Sequence, residues 1–507
     1  MIKDEKNNAL FFSVIIILFF AAEIIYLDTI SPEFCAAYLQ VMNINSWTEV
    51  FKSFIKFSDY WYRPFTFNFT NYILFNLIDF RNIYLVKLVG IIIISISAFI
   101  GSRLAKLVFG SSPLEQFFIF SLLLLHPVYI SIAYEGSGIV DPIFNIFLNI
   151  YLISFIKIIN ICKYKINYRS IFYYFTIAFL ALLIALTSQE RATTYIFLCV
   201  STALFYFYTN ELNLKKPILL FILISALFLL AYWYFTFLPK RAMSGADYRS
   251  TFEFNYVLEN ILRGFEIPLR LFLKPFGKHY DSHFNFIFNI SGVIILINTI
   301  YYLRNLIKSG EGEELKKVLF IFILYLSSLP IPIFFGGNTW HFYTASIYIT
   351  ILYGRAIYVN IARNNFLNRN TKLISIIFSV FVLVQFEVAV KQELSSNGVR
   401  YSEYVRVVAR GLKDPVIKGL LNPKVIFLDI SSSHLDGDWQ YGTGNMFKFI
   451  FNDPAIVEIP VVDGEILDGH QLKCKEIYGD FNEYTYLKFI QSSISWEAVA
   501  PKNYCNL

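Results

Sequence analysis

The segment Ser170-Ile-Phe-Tyr-Tyr-Phe-Thr-Ile-Ala-Phe-Leu-Ala-Leu-Leu-Ile-Ala-Leu-Thr-Ser-Gln189 contains no Asp, Glu, Lys or Arg. Only Glu190-Arg191 separates it from a second uncharged run, Ala192 to Asn210. A run of about 20 apolar residues matches the hydrocarbon thickness of a bilayer when helical. Two such runs joined by a two-residue charged turn read as a pair of antiparallel membrane helices. Gln116 to Tyr134 and Pro217 to Pro239 repeat the pattern.

The composition extends this reading to the whole chain. Of 507 residues, 56% are hydrophobic, 19% aromatic and 16% charged, against about 25% charged in an average soluble domain. Intrinsic disorder and a disulfide-stapled miniprotein are excluded. A nucleic-acid binder is excluded too, because the net charge of +6 is small for the length and the basic residues sit between apolar runs. The five cysteines form no Cys-x-x-Cys pair and no metal-ligand spacing with the six histidines.

Apolar windows predict about eleven spans, near 9–27, 84–102, 116–134, 139–156, 170–188, 192–209, 217–237, 284–303, 318–335, 341–359 and 373–390. The first lacks a small-residue cleavage site and carries Glu23 and Tyr26, so it reads as a retained helix rather than a removed signal peptide. Basic residues resist translocation and therefore mark cytoplasmic loops. Arg103 and Lys106, Lys157 to Arg169, Lys215 and Lys216, Arg304 to Lys317, and Arg355 to Lys372 mark alternate connections. The N-terminus is then expected inside and the C-terminus outside, and the resemblance described below implies the inner membrane of a bacterium.

This orientation puts three long segments on the periplasmic face: outer loops 28–83 and 238–283, and the tail 391–507. In the tail, Lys424-Val-Ile-Phe-Leu-Asp-Ile and Ala455-Ile-Val-Glu-Ile-Pro-Val-Val read as strands bounded by turn residues. The expected architecture is an all-α transmembrane domain over 1–390 followed by a small α/β periplasmic domain over 391–507. Cys474 and Cys505 in the tail either pair or stay as free buried thiols.

Charge inside a span is costly, about 2.5–3.5 kcal/mol at mid-bilayer on insertion scales, so its placement is informative. Glu23, Asp28, Lys87, Asp141, Glu190, Arg191, His341 and Glu387 all fall at the outer ends of spans. His126 falls inside the third window, but Pro127 after it predicts that the helix stops there. Lys87 and Glu387 read as helix-end charges that snorkel into headgroups. The others form short words: Asp28-Thr29, Tyr62-Arg63-Pro64-Phe65, His126-Pro127, Tyr134-Glu135-Gly136 leading to Asp141, Ser188-Gln189-Glu190-Arg191, Lys274-Pro275 with Tyr280-Asp281, and Trp340-His341-Phe342.

The order and spacing of these words resemble the GT-C superfamily of polytopic membrane glycosyltransferases. The likeness is to the branch of the transmembrane tetratricopeptide O-mannosyltransferases and their bacterial relatives, and more distantly to the protein O-mannosyltransferases. It covers about residues 10–390. That branch has an acidic residue after the first helix, a Tyr-Arg-Pro in the first outer loop, a His-Pro after the third helix, a Ser-Lys-Glu after the fifth and an Arg-Tyr-x-Tyr near the tenth. Asp28, Tyr62 to Pro64, His126-Pro127 and Ser188 to Glu190 match by position. The chain departs in having a single Asp28 in place of an acidic pair, Gln189 for the Lys, His341 for the Arg, and no tetratricopeptide array.

The resemblance implies a GT-C-like fold and a sugar donor carried on a polyprenyl phosphate, since no nucleotide sugar is available outside the cytoplasm. The acceptor is a glycan, lipid or protein of the envelope, with membrane lipids as the surrounding partner. One carboxylate removes the acceptor proton while cations neutralise charge growing on the departing phosphate. Asp28 is the candidate base, against a helix-capping role. Arg63 is a phosphate ligand or a salt bridge within its loop. Arg191 faces the cavity or pairs with Glu190, and Glu135, Asp141 and Glu190 are candidate substrate contacts. His126 and His341 donate to sugar hydroxyls or phosphate, or only to backbone. Phe254, Val257, Leu258, Ile261, Leu262 and Phe265 follow helical spacing along the membrane surface, so Lys274 beyond them meets the lipid phosphate or only headgroups, and Tyr280 in the same loop is a candidate substrate contact. A divalent metal at Asp28 has too few clustered carboxylates to be favoured. Two other readings share these features: a transporter or flippase of lipid-linked sugars, and a glycan polymerase or ligase.

Overall fold

The computed structural model describes residues 2–26, 44, 46–55, 64–77, 83–126, 140–164, 167–188, 194–208, 216–232, 234, 257–262, 264, 282–335, 342–363, 370–393 and five strands between 425 and 498. The described chain is helical up to residue 393 and forms strands beyond it. A helix occupies each apolar window: α1 (Ile2–Tyr26), α4 (Ile83–Phe109), α5 (Pro113–Leu124), α6 (Val140–Tyr164), α7 (Tyr168–Ser188), α8 (Thr194–Tyr208), α9 (Lys216–Tyr232), α10 (Ser282–Ser309), α11 (Gly312–Ser328), α13 (Tyr343–Arg363) and α14 (Thr371–Glu393). Shorter elements fill the gaps: α2 (Trp47–Ser53), a π-helix (Pro64–Thr70), α3 (Asn71–Leu77) and α12 (Pro330–Phe335).

Four of these helices, Tyr84–Phe109, Val140–Cys162, Tyr168–Ser188 and Tyr343–Arg363, are long and apolar enough to cross a bilayer by length and composition. Their outer faces are apolar too: Ile92, Ile96 and Phe99 of α4 and Leu180 of α7 are exposed. A helix apolar all round belongs in lipid, and the chain is a multi-pass membrane protein.

Helix ends differ from the apolar windows in instructive ways. Arg103 and Lys106 lie in the last turns of α4, Lys308 in the last turn of α10, and Lys316 and Lys317 in the first turns of α11, all within helices rather than loops. Lys and Arg are good helix formers whose stems can follow the apolar surface while their heads leave it. In the third window the helix stops at Leu124, and Leu125 caps it by donating its N–H to the carbonyl of Ser121. The ninth window breaks at Leu329, because Pro330 and Pro332 cannot continue the α11 ladder.

The core lies where α5 runs between α1, α4, α13 and α14. Phe117 and Phe118 sit beneath Phe378 of α14, with ring centroids 6.1 and 4.2 Å apart respectively. Gly354 lets α13 approach α5: a Cβ there would stand 2.5 Å from Ile119 Cγ1 and 3.2 Å from its Cα. On the far side α6 packs along α7 and α4, and Tyr151 on α6 is 2.8 Å from Cys199 Sγ of α8 and donates to Ser225 Oγ of α9 at 2.9 Å.

The tail contributes a five-stranded sheet in the order β3-β2-β1-β4-β5, from β1 (Val425–Ile430), β2 (Val457–Val462), β3 (Glu465–Ile466), β4 (Thr485–Ile490) and β5 (Ser495–Ala498). The central β1 runs parallel to β2, with Val425 opposite Val457, and to β4, with Ile426 opposite Thr485. The edge strands β3 and β5 are antiparallel to their neighbours. Parallel neighbours need a crossover connection of a dozen residues or more. The segments joining these strands, like Cys474 and Cys505, lie outside the described residues.

Candidate functional site

His126 and Asp141 bracket one end of the bundle. His126 follows the C-cap of α5 and is fully buried; Asp141 sits in the first turn of α6, 7% exposed. Asp141 begins a polar row on α6 continued by Asn145 and Asn149, four and eight residues on, both fully buried. Spacing by four places the three one above another on one helix face. Asn145 Nδ2 donates to the Asp141 carbonyl at 2.8 Å, while its Oδ1 has no hydrogen-bond partner among the described residues. Both polar atoms of Asn149 lack one among them as well.

The same end receives the first long loop. Immediately after Tyr62-Arg63, the chain turns into the π-helix Pro64–Thr70, which packs on α7 and α6. Buried Thr66 donates its Oγ1 proton to the Ser188 carbonyl at 2.9 Å. Phe65 stands edge-on to Phe147 of α6, 5.9 Å between centroids. Three sequence words that are far apart are thereby brought together: the flank of Arg63, the last residue before Gln189-Glu190-Arg191, and the helix that Asp141 opens.

Lys87 is a residue whose burial sequence reading missed. It was expected to snorkel into headgroups, yet it is 3% exposed, within the bundle near the start of α4. An ammonium near a span end gives no sequence signal that separates burial from snorkelling; which way its helix face turns decides. The second long loop also reaches inward at residues 257–262, where Asn260 Nδ2 donates to the Ile333 carbonyl at 3.0 Å. Beyond it the Gly264 carbonyl accepts from Tyr325 at 2.7 Å. Leu258 and Leu262 of that segment are exposed, one helical turn apart.

Of the remaining candidates, Asp28, Arg63, Glu135, Glu190, Arg191, Lys274, Tyr280 and His341 lie outside the described residues. Among the described residues no group of three or more His, Cys, Asp or Glu stands close enough to hold a metal ion.

At the opposite end of the bundle lies a charge cluster that the sequence did not reveal. Arg355, inside α13, donates from Nη1 to Glu115 Oε2 of α5 at 2.8 Å and from Nε to Glu314 Oε1 of α11 at 2.7 Å. Tyr302 of α10 donates to the same Glu314 oxygen at 2.8 Å, and the guanidinium lies 5.0 Å from the Phe109 ring centroid. The partners are 240 and 41 residues from Arg355 in sequence. The only hint in the sequence was an Arg within an apolar helical pattern.

This bundle of apolar helices has a fold that recurs among solved structures. No protein-family model matches the chain, and no curated protein does. Among solved structures, the crystal structure of ArnT from Cupriavidus metallidurans bound to undecaprenyl phosphate is similar over 96% of this chain and 93% of that one. Its sequence is 11% identical and the TM-score is 0.51. The apo state of the same ArnT gives the same coverage and identity with a TM-score of 0.50. At this identity the likeness establishes the fold.

Proposed function

We propose that the protein is a glycosyltransferase that moves a sugar from a polyprenyl-phosphate carrier to an acceptor at the periplasmic face of the membrane. The observation that carries the reading is a fold shared, nearly end to end, with a protein captured with undecaprenyl phosphate. The order of the motif words adds the likeness to the O-mannosyltransferase branch, and all eleven apolar helices are taken as spans. The tail 391–507, with its sheet, is taken as a separate periplasmic domain, and the acceptor as an envelope glycan, lipid or protein.

In this reading the acceptor hydroxyl attacks the anomeric carbon, the bond from that carbon to the lipid phosphate oxygen breaks, and the acceptor proton passes to the Asp28 carboxylate. The leaving lipid phosphate carries growing negative charge, which fixed cations stabilise without reorganising. Arg63, Arg191 and Lys274 are the loop cations assigned to it. Glu135, Asp141, Glu190, His126, Tyr280 and His341 are assigned to the sugar and acceptor. Thr66, bonded to Ser188, supports the pairing of the Arg63 and Glu190-Arg191 segments in one site.

The test is transfer from a synthetic polyprenyl-phosphate sugar by purified wild type and Asp28→Asn. Transfer falling by about 10²-fold or more with the fold intact fits general-base catalysis; an undiminished rate removes Asp28 from the role. Mass comparison of envelope glycans with and without the protein separates the classes. Loss of one monosaccharide fits transfer, loss of all exported glycan fits a flippase, and shortened chains of whole units fit a polymerase.

A further inference from the structure

The sheet of the tail sets its three parallel strands side by side, β2-β1-β4, so their carboxyl ends share one edge: Ile430 is in register with Val462, and Asp429 with Lys488. From β1 the chain moves outward to β2 and β3 on one flank, then crosses β1 to reach β4 and β5 on the other. The strand order therefore reverses between β1 and β4. In open α/β sheets such a reversal opens a crevice at the carboxyl ends of the strands, and ligands bind there.

One residue of β1 is out of keeping with a strand that only supports the sheet. A strand with parallel neighbours on both sides normally reads as an unbroken apolar run. β1 reads Val425-Ile-Phe-Leu-Asp-Ile, with Asp429 next to its carboxyl end. The register neighbours of Asp429 are Val461 on one side and Lys488 on the other, and Lys488 is also opposite Glu497. Two carboxylates thus share a row with one ammonium. Charge in a central strand is costly unless matched, and this row leaves a negative charge over.

The chain leaving the same edge is polar in a specific way. It continues from Ile430 into Ser431-Ser-Ser-His, from Val462 into Asp463-Gly464, and from Ile490 into Gln491-Ser-Ser. None of these residues is Lys or Arg, and no glycine-rich phosphate fingerprint follows β1, so the segments offer a phosphate no counter-charge. Hydroxyl, amide and carboxylate groups instead match a ligand made of hydroxyls, each of which both donates and accepts. Ligand pockets add aromatic faces to a few such polar groups, and the connection after β1 carries Trp439 and Tyr441.

We propose that the tail carries a saccharide-binding site at the carboxyl ends of β1 and β4, where the topology brings Asp429 together with the segments that begin at Ser431 and Gln491. The site is built by the sheet alone, so it goes beyond the transferase reading and stands without it.

The test measures saturation transfer, by nuclear magnetic resonance, to the methyl glycosides of glucose, galactose and N-acetylglucosamine. It uses the full chain in lipid nanodiscs, since a maltoside detergent would compete. At least one glycoside should bind, and its affinity should fall about tenfold or more in folded Asp429→Asn, the loss expected for one hydrogen bond to a charged group. Ser431→Ala, Ser432→Ala and Ser433→Ala together, which alter no strand residue, should weaken binding as well and keep the test decisive if Asp429→Asn does not fold. No binding by any of the three glycosides, or equal binding by wild type and the variants, overturns the proposal. Calcium bound in equilibrium dialysis and lost in Asp429→Asn, with no glycoside bound, overturns it in favour of a cation site. None of these measurements needs a sugar donor. Glycoside binding without transfer therefore sinks only the transferase reading, and transfer without glycoside binding sinks only this site.

Discussion

The two ends of the helical bundle handle buried polarity in opposite ways. At one end Arg355, Glu115 and Glu314 are matched charge to charge at 2.7–2.8 Å, and among the described residues there Glu115 Oε1 and, farther along α13, Asn360 Oδ1 are left without a hydrogen bond. At the other end the row below Asp141 holds an Asn149 with neither donor nor acceptor used. Glu115 and His126 stand at opposite ends of α5, about 16 Å apart at 1.5 Å per residue. Polar groups that serve packing are paired within the protein, because leaving one unpaired costs about 1–3 kcal/mol. Those retained unpaired in an apolar bundle read as kept for something other than stability. On the proposed function, the first end holds the fold and the second serves the ligand.

The comparison can be broken most severely at Arg355. Removing the guanidinium by Arg355→Ala leaves Glu115, with a fully buried side chain, facing Glu314 without a counter-charge. Breaking a buried pair from one side costs about 3–5 kcal/mol, so the variant should unfold at markedly lower temperature in detergent than wild type. Replacing the whole cluster, as Arg355→Met with Glu115→Leu, Glu314→Leu and Tyr302→Phe, the last removing the hydroxyl that Glu314 accepts from, should recover most of the loss, since apolar substitutes of similar volume often do as well as the buried charges. If Arg355→Ala were neutral, the cluster would not be the clasp that its geometry describes.

Prediction from sequence succeeded for helices because a bilayer imposes a one-dimensional rule: each span is apolar over its own length, whatever it packs against. Ser170 to Gln189 could be read in isolation, and α7 (Tyr168–Ser188) lies on it. The strands near Val425 and Val457 were legible from their own apolar runs as well. Their parallel pairing was not, since register is a relation between segments. The same holds for the sites. Asp141 was visible as a carboxylate at a helix start, but Arg355 was misread as a loop cation because its partners are 240 and 41 residues away. Thr66 gave no signal at all, its partner being the backbone of Ser188.

A second variant reads the opposite end. Asn149→Leu removes two unpartnered amide atoms from a fully buried position and keeps nearly the same volume. Burial without a hydrogen bond costs about 1–3 kcal/mol, so this variant should gain stability of that order, measured by thermal unfolding. Transfer from a polyprenyl-phosphate sugar should fall in the same protein if the row below Asp141 serves the substrate. A stabilised, fully active Asn149→Leu would make the unpaired amide an idle defect and remove the contrast between the ends.

The smallest expected effect on stability is the most informative about how the site is assembled. Thr66→Val replaces a buried hydroxyl by a methyl and deletes the 2.9 Å bond to the Ser188 carbonyl, leaving that helix-end acceptor short of one donor. One such bond contributes about 0.5–1.5 kcal/mol, and Phe65 against Phe147 still holds the π-helix to α6, so the fold should survive. Catalysis is more demanding of position than folding is, and a misplacement of about 1 Å can cost about 10²-fold. Transfer should therefore drop much further than the modest shift in unfolding temperature, while Thr66→Ser, which keeps the donor, should restore it. Activity falling only in proportion to the folded fraction would mean that the Arg63 segment takes its position from elsewhere in the loop.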